Sequence, residues 1–216
     1  MFVGEFSAKD FKAKVSPHSL RQALAEAIFL LGFERNADVV VASSFAPLCN
    51  NVNGTQWSYN LFNFNASHMY ALPSYHAQTL LSQSLGTHTL RATLTPPYTA
   101  EGDGGGDQPR WLASASVRGD DELIVKLANY GGDARTVEVE WGGSRPIASI
   151  TSAQVLTAAS PDAQNTLDQP DAVAPAALSP APTISAGGKG LHLEMPPWSL
   201  VVVTATLSAR GEIAAA

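Results

Sequence analysis

The order of apolar and polar positions changes character near residue 88. Before it, Phe2-Val3-Gly4 is a short apolar run closing on Glu5, the pattern of a parallel strand buried on both faces. Ser16-Pro17 offers an N-cap followed by a first-turn proline. Leu20, Ala23, Leu24, Ala27, Ile28 and Leu31 then recur at helical spacing and form one apolar stripe, with Gly32 expected to end the helix. The β-branched run 38–43 predicts a second buried strand. A long loop from Ala46 to Pro73 follows, and Ser74 is placed to cap a helix through Leu80, Leu81 and Leu85 that ends at Gly86. Strand, helix, strand, helix implies parallel pairing with right-handed crossovers. Two such strands cannot form a stable parallel sheet alone, so this half is expected to be a piece of a larger α/β unit.

After residue 88 the period shortens to two. Pro96, Pro97 and the segment 101–107 read as a loop without packing potential. Alternating runs follow at 111–117, 122–127, 136–141, 152–156, 190–195 and 200–207, separated by turn clusters such as 118–121 and 131–133. Several short strands at this spacing predict an antiparallel β-sandwich, with the Pro/Ala-rich span 161–182 as an exposed loop. The fold class is therefore α/β plus all-β, divided into residues 1–88 and 89–216.

Composition narrows the functions open to such a chain. Its 216 residues carry 13 basic and 19 acidic side chains, a formal charge of -6, with no Lys/Arg cluster of the kind phosphate contacts need. That argues against a nucleic-acid partner. No apolar run reaches the ~18–20 residues a membrane span requires, so no membrane partner is expected. The one cysteine, Cys49, excludes an intrachain disulfide and reads as a small buried hydrophobe. His18, His68, His76, His88 and His192 show no metal spacing and are expected at caps, in loops or on the surface, so neither a metal nor a cofactor is implied. The segment Met1–Phe6 lacks the basic and apolar regions of a secretory signal, whereas the sequons at Asn53 and Asn65 suggest glycosylation of a secreted parent protein. Together these features suggest an incomplete chain.

Particular residues of the first half carry a family resemblance. Phe2-Val-Gly-Glu5-Phe6, Leu24-Ala-Glu-Ala27, Glu34-Arg-Asn-Ala-Asp-Val39, Ala42-Ser-Ser-Phe-Ala-Pro-Leu48, Asn53-Gly-Thr-Gln-Trp57, Phe64-Asn65 and Pro73-Ser-Tyr75-His-Ala-Gln78 occur in order. They resemble the fungal and plant-type α-L-arabinofuranosidases of glycoside hydrolase family 51. Asn165–Pro170 and Met195-Pro-Pro-Trp-Ser199 resemble that family's C-terminal sandwich. The resemblance implies a (β/α)8 TIM barrel with an appended jelly-roll-like β-sandwich. The two strand–helix units would be the barrel's seventh and eighth, and a full barrel needs about 250 residues.

The resemblance also implies site residues. Retaining glycoside hydrolysis uses two carboxyl groups, one the nucleophile and one the acid/base. Glu5-Phe6 matches the family's nucleophile pair at the end of the seventh strand, with Phe6 where many members carry Tyr, a change that removes a hydroxyl able to orient the carboxylate. The family's acid/base lies in an Asn-Glu pair, and no Asn-Glu pair occurs in this sequence. The remaining glutamates, Glu26, Glu34, Glu101, Glu122, Glu138, Glu140, Glu194 and Glu212, fall outside barrel strand ends. Trp57 either packs against a furanose ring or anchors its loop, and Ser43 and Ser44 could hydrogen-bond a sugar hydroxyl. The expected function is the C-terminal part of a retaining exo-α-L-arabinofuranosidase acting on arabinose-bearing hemicellulose or pectin, inactive alone. A non-catalytic sugar-binding or accessory fragment is the alternative, and such a module has no need of Glu5.

Overall fold

The computed structural model describes residues 1–8, 18–95 and 111–209. The Ser16-Pro17 cap, the 96–107 loop, Glu101 and Glu212 lie outside the described residues. Strand β1 (Phe2–Phe6) pairs in parallel with β2 (Ala42–Phe45) across helix α1 (Leu20–Arg35), as the alternation of strand and helix predicts. Every residue of the apolar stripe, from Leu20 to Leu31, is buried. Ser19 is the N-cap, its Oγ accepting from the Gln22 N–H at 3.4 Å. Gly32 does not end the helix. Its backbone stays helical to Arg35, and the Asn36 side chain closes the end by donating from Nδ2 to the Gly32 carbonyl at 2.7 Å.

The two strands differ from their expected burial. Phe2 is 62% exposed, Glu5 is exposed, and Val39 and Val41 are 52% and 77% exposed. Val39–Val41 also lie outside β2, which starts at Ala42. The reason is physical: among the described residues this parallel sheet has only two strands, so both outer edges and much of its surface lack cover.

The segment expected as a loop between Ala46 and Pro73 contains a second small sheet. Strand β3 (Cys49–Asn51) runs parallel to β4 (Phe62–Phe64), which pairs antiparallel with β5 (Met69–Ala71). Cys49 is exposed at its edge rather than buried. Helix α2 (Pro73–Ser82) starts from Leu72 with proline in its first turn, and Ser74 lies buried inside the helix instead of capping it. Leu85 falls beyond the helix and is exposed. Gly86 serves a close approach: a Cβ there would stand 2.5 Å from the Ser116 Cβ.

The remaining strands are β6 (His88–Leu90), β7 (Trp111–Arg118), β8 (Glu122–Asn129), β9 (Arg135–Glu140), β10 (Ile147–Leu156), β11 (Ala176–Ala177), β12 (Thr183–Ile184), β13 (Gly190–Met195) and β14 (Ser199–Leu207). Six form an antiparallel sheet in the order β11-β10-β14-β8-β7-β6, and three form a second in the order β12-β13-β9. Period-two alternation divides the large sheet between two cores. Leu123, Val125, Leu127, Val201, Val203 and Ala205 share one apolar cluster with Leu191, Leu193 and Met195 of the smaller sheet. Ile124, Ala128, Leu200 and Val202 share another with the apolar stripe of α1 and with Leu80 and Leu81 of α2.

The helices of the first half are thus seated on the large sheet of the second. Lys126, on the helix-facing side of β8, is 1% exposed and reaches Glu34 of α1 at 2.7 Å, while the Ser114 hydroxyl donates to the other Glu34 oxygen at 2.7 Å. The span 161–182 is not wholly exposed either. Asn165, Val173 and Leu178 are buried, and the Asn165 amide bridges the carbonyls of Ala71 and Val173. Carbonyls of Pro161 and Ala163 also accept the N–H groups of Arg21 and Leu20, which open α1.

Candidate functional site

A parallel strand pair brings the C-terminal ends of its strands together, and side chains there share one rim. Glu5 sits one residue before the end of β1, exposed. Phe6, next to it, is 8% exposed and packs its ring against Phe29, Phe33 and Phe45 at centroid distances of 5.5 to 5.7 Å. Glu5 is exposed while Phe6 and Val3 pack in the aromatic cluster, so the carboxylate lies outside that core. An apolar residue after the glutamate is what this packing needs.

Ser43 and Ser44 lie on the neighbouring strand β2. Ser43 is the register partner of Val3, and the Ser44 hydroxyl donates to the Gly4 carbonyl. Trp57 lies in the segment between β3 and β4, 55% exposed, and its carbonyl accepts from the Asn60 amide at 2.5 Å. The β3–β5 sheet holds a polar chain that the sequence pattern does not single out. The Asn50 amide donates to Asn63 Oδ1 at 2.9 Å, and the Asn63 amide donates to the Tyr70 hydroxyl at 2.9 Å. Nothing in the sequence distinguishes Asn50 and Asn63 from the exposed asparagines around them, although a buried amide needs a hydrogen-bond partner. Of the two sequons, Asn53 is exposed, and Asn65 Oδ1 accepts the N–H groups of Ser67 and His68 in a local turn.

The other glutamates are engaged elsewhere. Glu34 pairs with Lys126, Glu122 with Arg118 at 2.9 Å, Glu138 with His192, and Glu194 with Thr136 at 2.7 Å. Glu140 lies exposed on β9. Glu26 is 1% exposed on the α2-facing side of α1. Burial pushes its carboxyl above the usual range, against weaker opposing hydrogen bonds from Gln22, Ser74 and the Ala8 N–H. Among the histidines, His18 meets the Ser58 carbonyl at 2.6 Å, and burial lowers the pKa of both His18 and His76. His192 is raised by its Glu138 partner. No group of three or more His, Cys, Asp or Glu suited to a metal ion occurs among the described residues, and no described helix is long and apolar enough to cross a membrane.

Comparison with known proteins identifies the family. Residues 4–199 match the family model described as the α-L-arabinofuranosidase C-terminal domain. The chain is 33% identical over 180 residues to α-L-arabinofuranosidase 1 of Arabidopsis thaliana, covering 81% of this chain and 25% of that protein. It is 31% identical over 206 residues to α-L-arabinofuranosidase A of Aspergillus niger, covering 94% of this chain and 29% of that protein. It therefore spans between a quarter and a third of these relatives. Among solved structures, an arabinose-bound GH51 α-L-arabinofuranosidase superposes with a TM-score of 0.76 at 27% identity, over 94% of this chain and 32% of that one. The Thermotoga maritima α-L-arabinofuranosidase in its arabinose complex shares the fold, with a TM-score of 0.74 at 18% identity over 94% of this chain and 42% of that one. With sequence and fold agreeing over nearly its whole length, the chain belongs to the GH51 α-L-arabinofuranosidases, as a C-terminal portion.

Proposed function

We propose that this chain is the C-terminal part of a retaining, exo-acting α-L-arabinofuranosidase and supplies its nucleophile, Glu5. The observation that carries the reading is the position of Glu5 at the C-terminal end of a parallel strand, with Phe6 buried beside it, in a chain of this family. In barrels of parallel strands, reacting groups gather at that end. Units β1–α1 and β2–α2 are read as the last two of a (β/α)8 barrel in residues 1–88. The sheets of residues 89–216 form a two-layer β-sandwich around the apolar cluster they share. The substrate class is terminal arabinofuranosyl groups on hemicellulose or pectin, in keeping with the arabinose bound to a structural relative. The exposed sequon at Asn53 supports a secreted parent protein, glycosylated there and at Asn65.

In the reaction, the Glu5 carboxylate forms a bond to the anomeric carbon as the bond to the leaving oxygen breaks. A second carboxylic acid, from the part of the longer protein outside this sequence, protonates that oxygen. It then takes a proton from water, which attacks the same carbon, frees arabinose with retained configuration and returns Glu5 to its carboxylate. Trp57 and Ser43 are the groups assigned to the sugar, through ring packing and a hydroxyl contact. The test is Glu5→Gly in a protein of the relatives' length. Azide should restore turnover and yield the glycosyl azide of inverted configuration, while Glu5→Gln should lower kcat by orders of magnitude. A rescued product of retained configuration, or near-normal kcat in Glu5→Gln, places the nucleophile elsewhere.

A further inference from the structure

The β1–β2 ladder does not hold the residue that the proposed reaction depends on. Its register runs Phe2 to Ala42 and Val3 to Ser43, then breaks, and resumes only at Phe6 with Phe45. Gly4 and Glu5 fall in the break, where regular ladder pairing is lost. Two residues on one strand there, Gly4 and Glu5, face a single intervening residue on the other, and that residue is Ser44. Its hydroxyl donates to the Gly4 carbonyl.

That carbonyl and the Glu5 N–H belong to one planar peptide group. A hydrogen bond that fixes the carbonyl also fixes the plane from which the Glu5 Cα departs. On the other side of Glu5, the Phe6 ring is locked among Phe29, Phe33 and Phe45. The glutamate backbone is thus pinned at both neighbours, by a hydroxyl before it and an aromatic cluster after it. Gly4 has no side chain to aid this, and a Cβ at that position would meet only the Phe2 ring at 3.6 Å.

We propose that Ser44 is a positioning residue for Glu5: its hydroxyl, through the Gly4 carbonyl, sets the direction in which the carboxylate leaves the strand. This rests on the reading of Glu5 as nucleophile. It assigns Ser44 a duty different from a sugar contact, since the hydroxyl proton is already committed to Gly4. Displacements of about 1 Å at a reacting group can cost ~10²-fold in rate, so one hydroxyl at the ladder break has leverage out of proportion to its bond energy.

Two measurements test the proposal. In the 216-residue chain, ¹⁵N relaxation should show a lower order parameter at the Glu5 amide in Ser44→Ala, restored in Ser44→Thr, with the thermal midpoint unchanged. In a protein of the relatives' length, Ser44→Ala should lower kcat on an aryl α-L-arabinofuranoside by about tenfold or more with KM held within about twofold. Ser44→Thr, which keeps the hydroxyl, should recover most of that loss. An unchanged kcat in Ser44→Ala overturns the proposal, and so does a rise in KM at constant kcat, which would make Ser44 a sugar contact. Glu5→Gln separates the two readings. If it is inactive while Ser44→Ala is normal, only the role of Ser44 fails; if it is active, the nucleophile assignment fails as well.

Discussion

At the scale of single residues, the structure's sharpest feature is a carboxyl group with almost no solvent. Glu26 is 1% exposed, and one of its oxygens accepts from Gln22 Nε2 at 3.0 Å and from the Ala8 N–H at 3.3 Å. The other oxygen is buried with no hydrogen-bond partner among the described residues. Burial favours the neutral acid, so the folded-state pKa lies above the unfolded one. The stability this contributes is complete below the ordinary carboxyl range and is lost as pH rises through the raised folded value. Glu26→Gln keeps the shape and cannot ionise. Its melting temperature should match the wild type near pH 4 and exceed it at pH 8, and a difference independent of pH would contradict a neutral buried Glu26. No apolar pattern singles out such a residue, because Glu26 lies beside the stripe position Ala27 and looks like any exposed helical glutamate. The burial of Phe6 is equally silent in sequence, since it follows from three phenylalanines on two other elements.

Elements were legible where one face carried the whole signal. The α1 stripe and the alternation in β8, β9, β13 and β14 predict the observed elements to within a few residues. Short apolar runs are a weaker guide. Val39–Val41 has the composition of a buried strand but precedes β2 with Val39 and Val41 exposed, because β-propensity reflects packing against neighbours that the described residues do not supply. The strands β3 to β5 have three residues each, too short for any period to show. Between elements, the buried contact of α1 with β8 is the one most open to test. Burial pushes the Lys126 ammonium below its usual range, and Glu34 opposes that shift. Lys126→Met strands Glu34 without its cation, at a cost of about 3–5 kcal/mol. Urea denaturation should register that loss, and Lys126→Met with Glu34→Leu should recover much of it. A single variant as stable as wild type would mean that the pair does not join the helix to the sheet.

For the whole molecule, three layers follow one another: the smaller sheet, the large sheet, and the two helices seated on its far face. Beyond them the β1–β2 pair presents a rim on which the proposed reaction finds one carboxylate, Glu5. General acid catalysis contributes typically ~10²–10⁴-fold, and positioning by the rest of a barrel contributes more. The 216-residue chain should therefore release no measurable 4-nitrophenol from 4-nitrophenyl α-L-arabinofuranoside. Turnover in the ordinary enzyme range, about 1–10³ s⁻¹, that disappears in Glu5→Gln would show that the chain holds a complete site. Sequence by itself determined the alternation of strand and helix before residue 88, the antiparallel strands after it, and the family, because periodicity and ordered motifs are local properties of the chain. Only the tertiary structure decided that the helices pack on the large sheet, that Glu26 and Lys126 are buried, and that Ser44 meets Gly4. Each of those depends on contacts between residues dozens of positions apart, which no local pattern encodes.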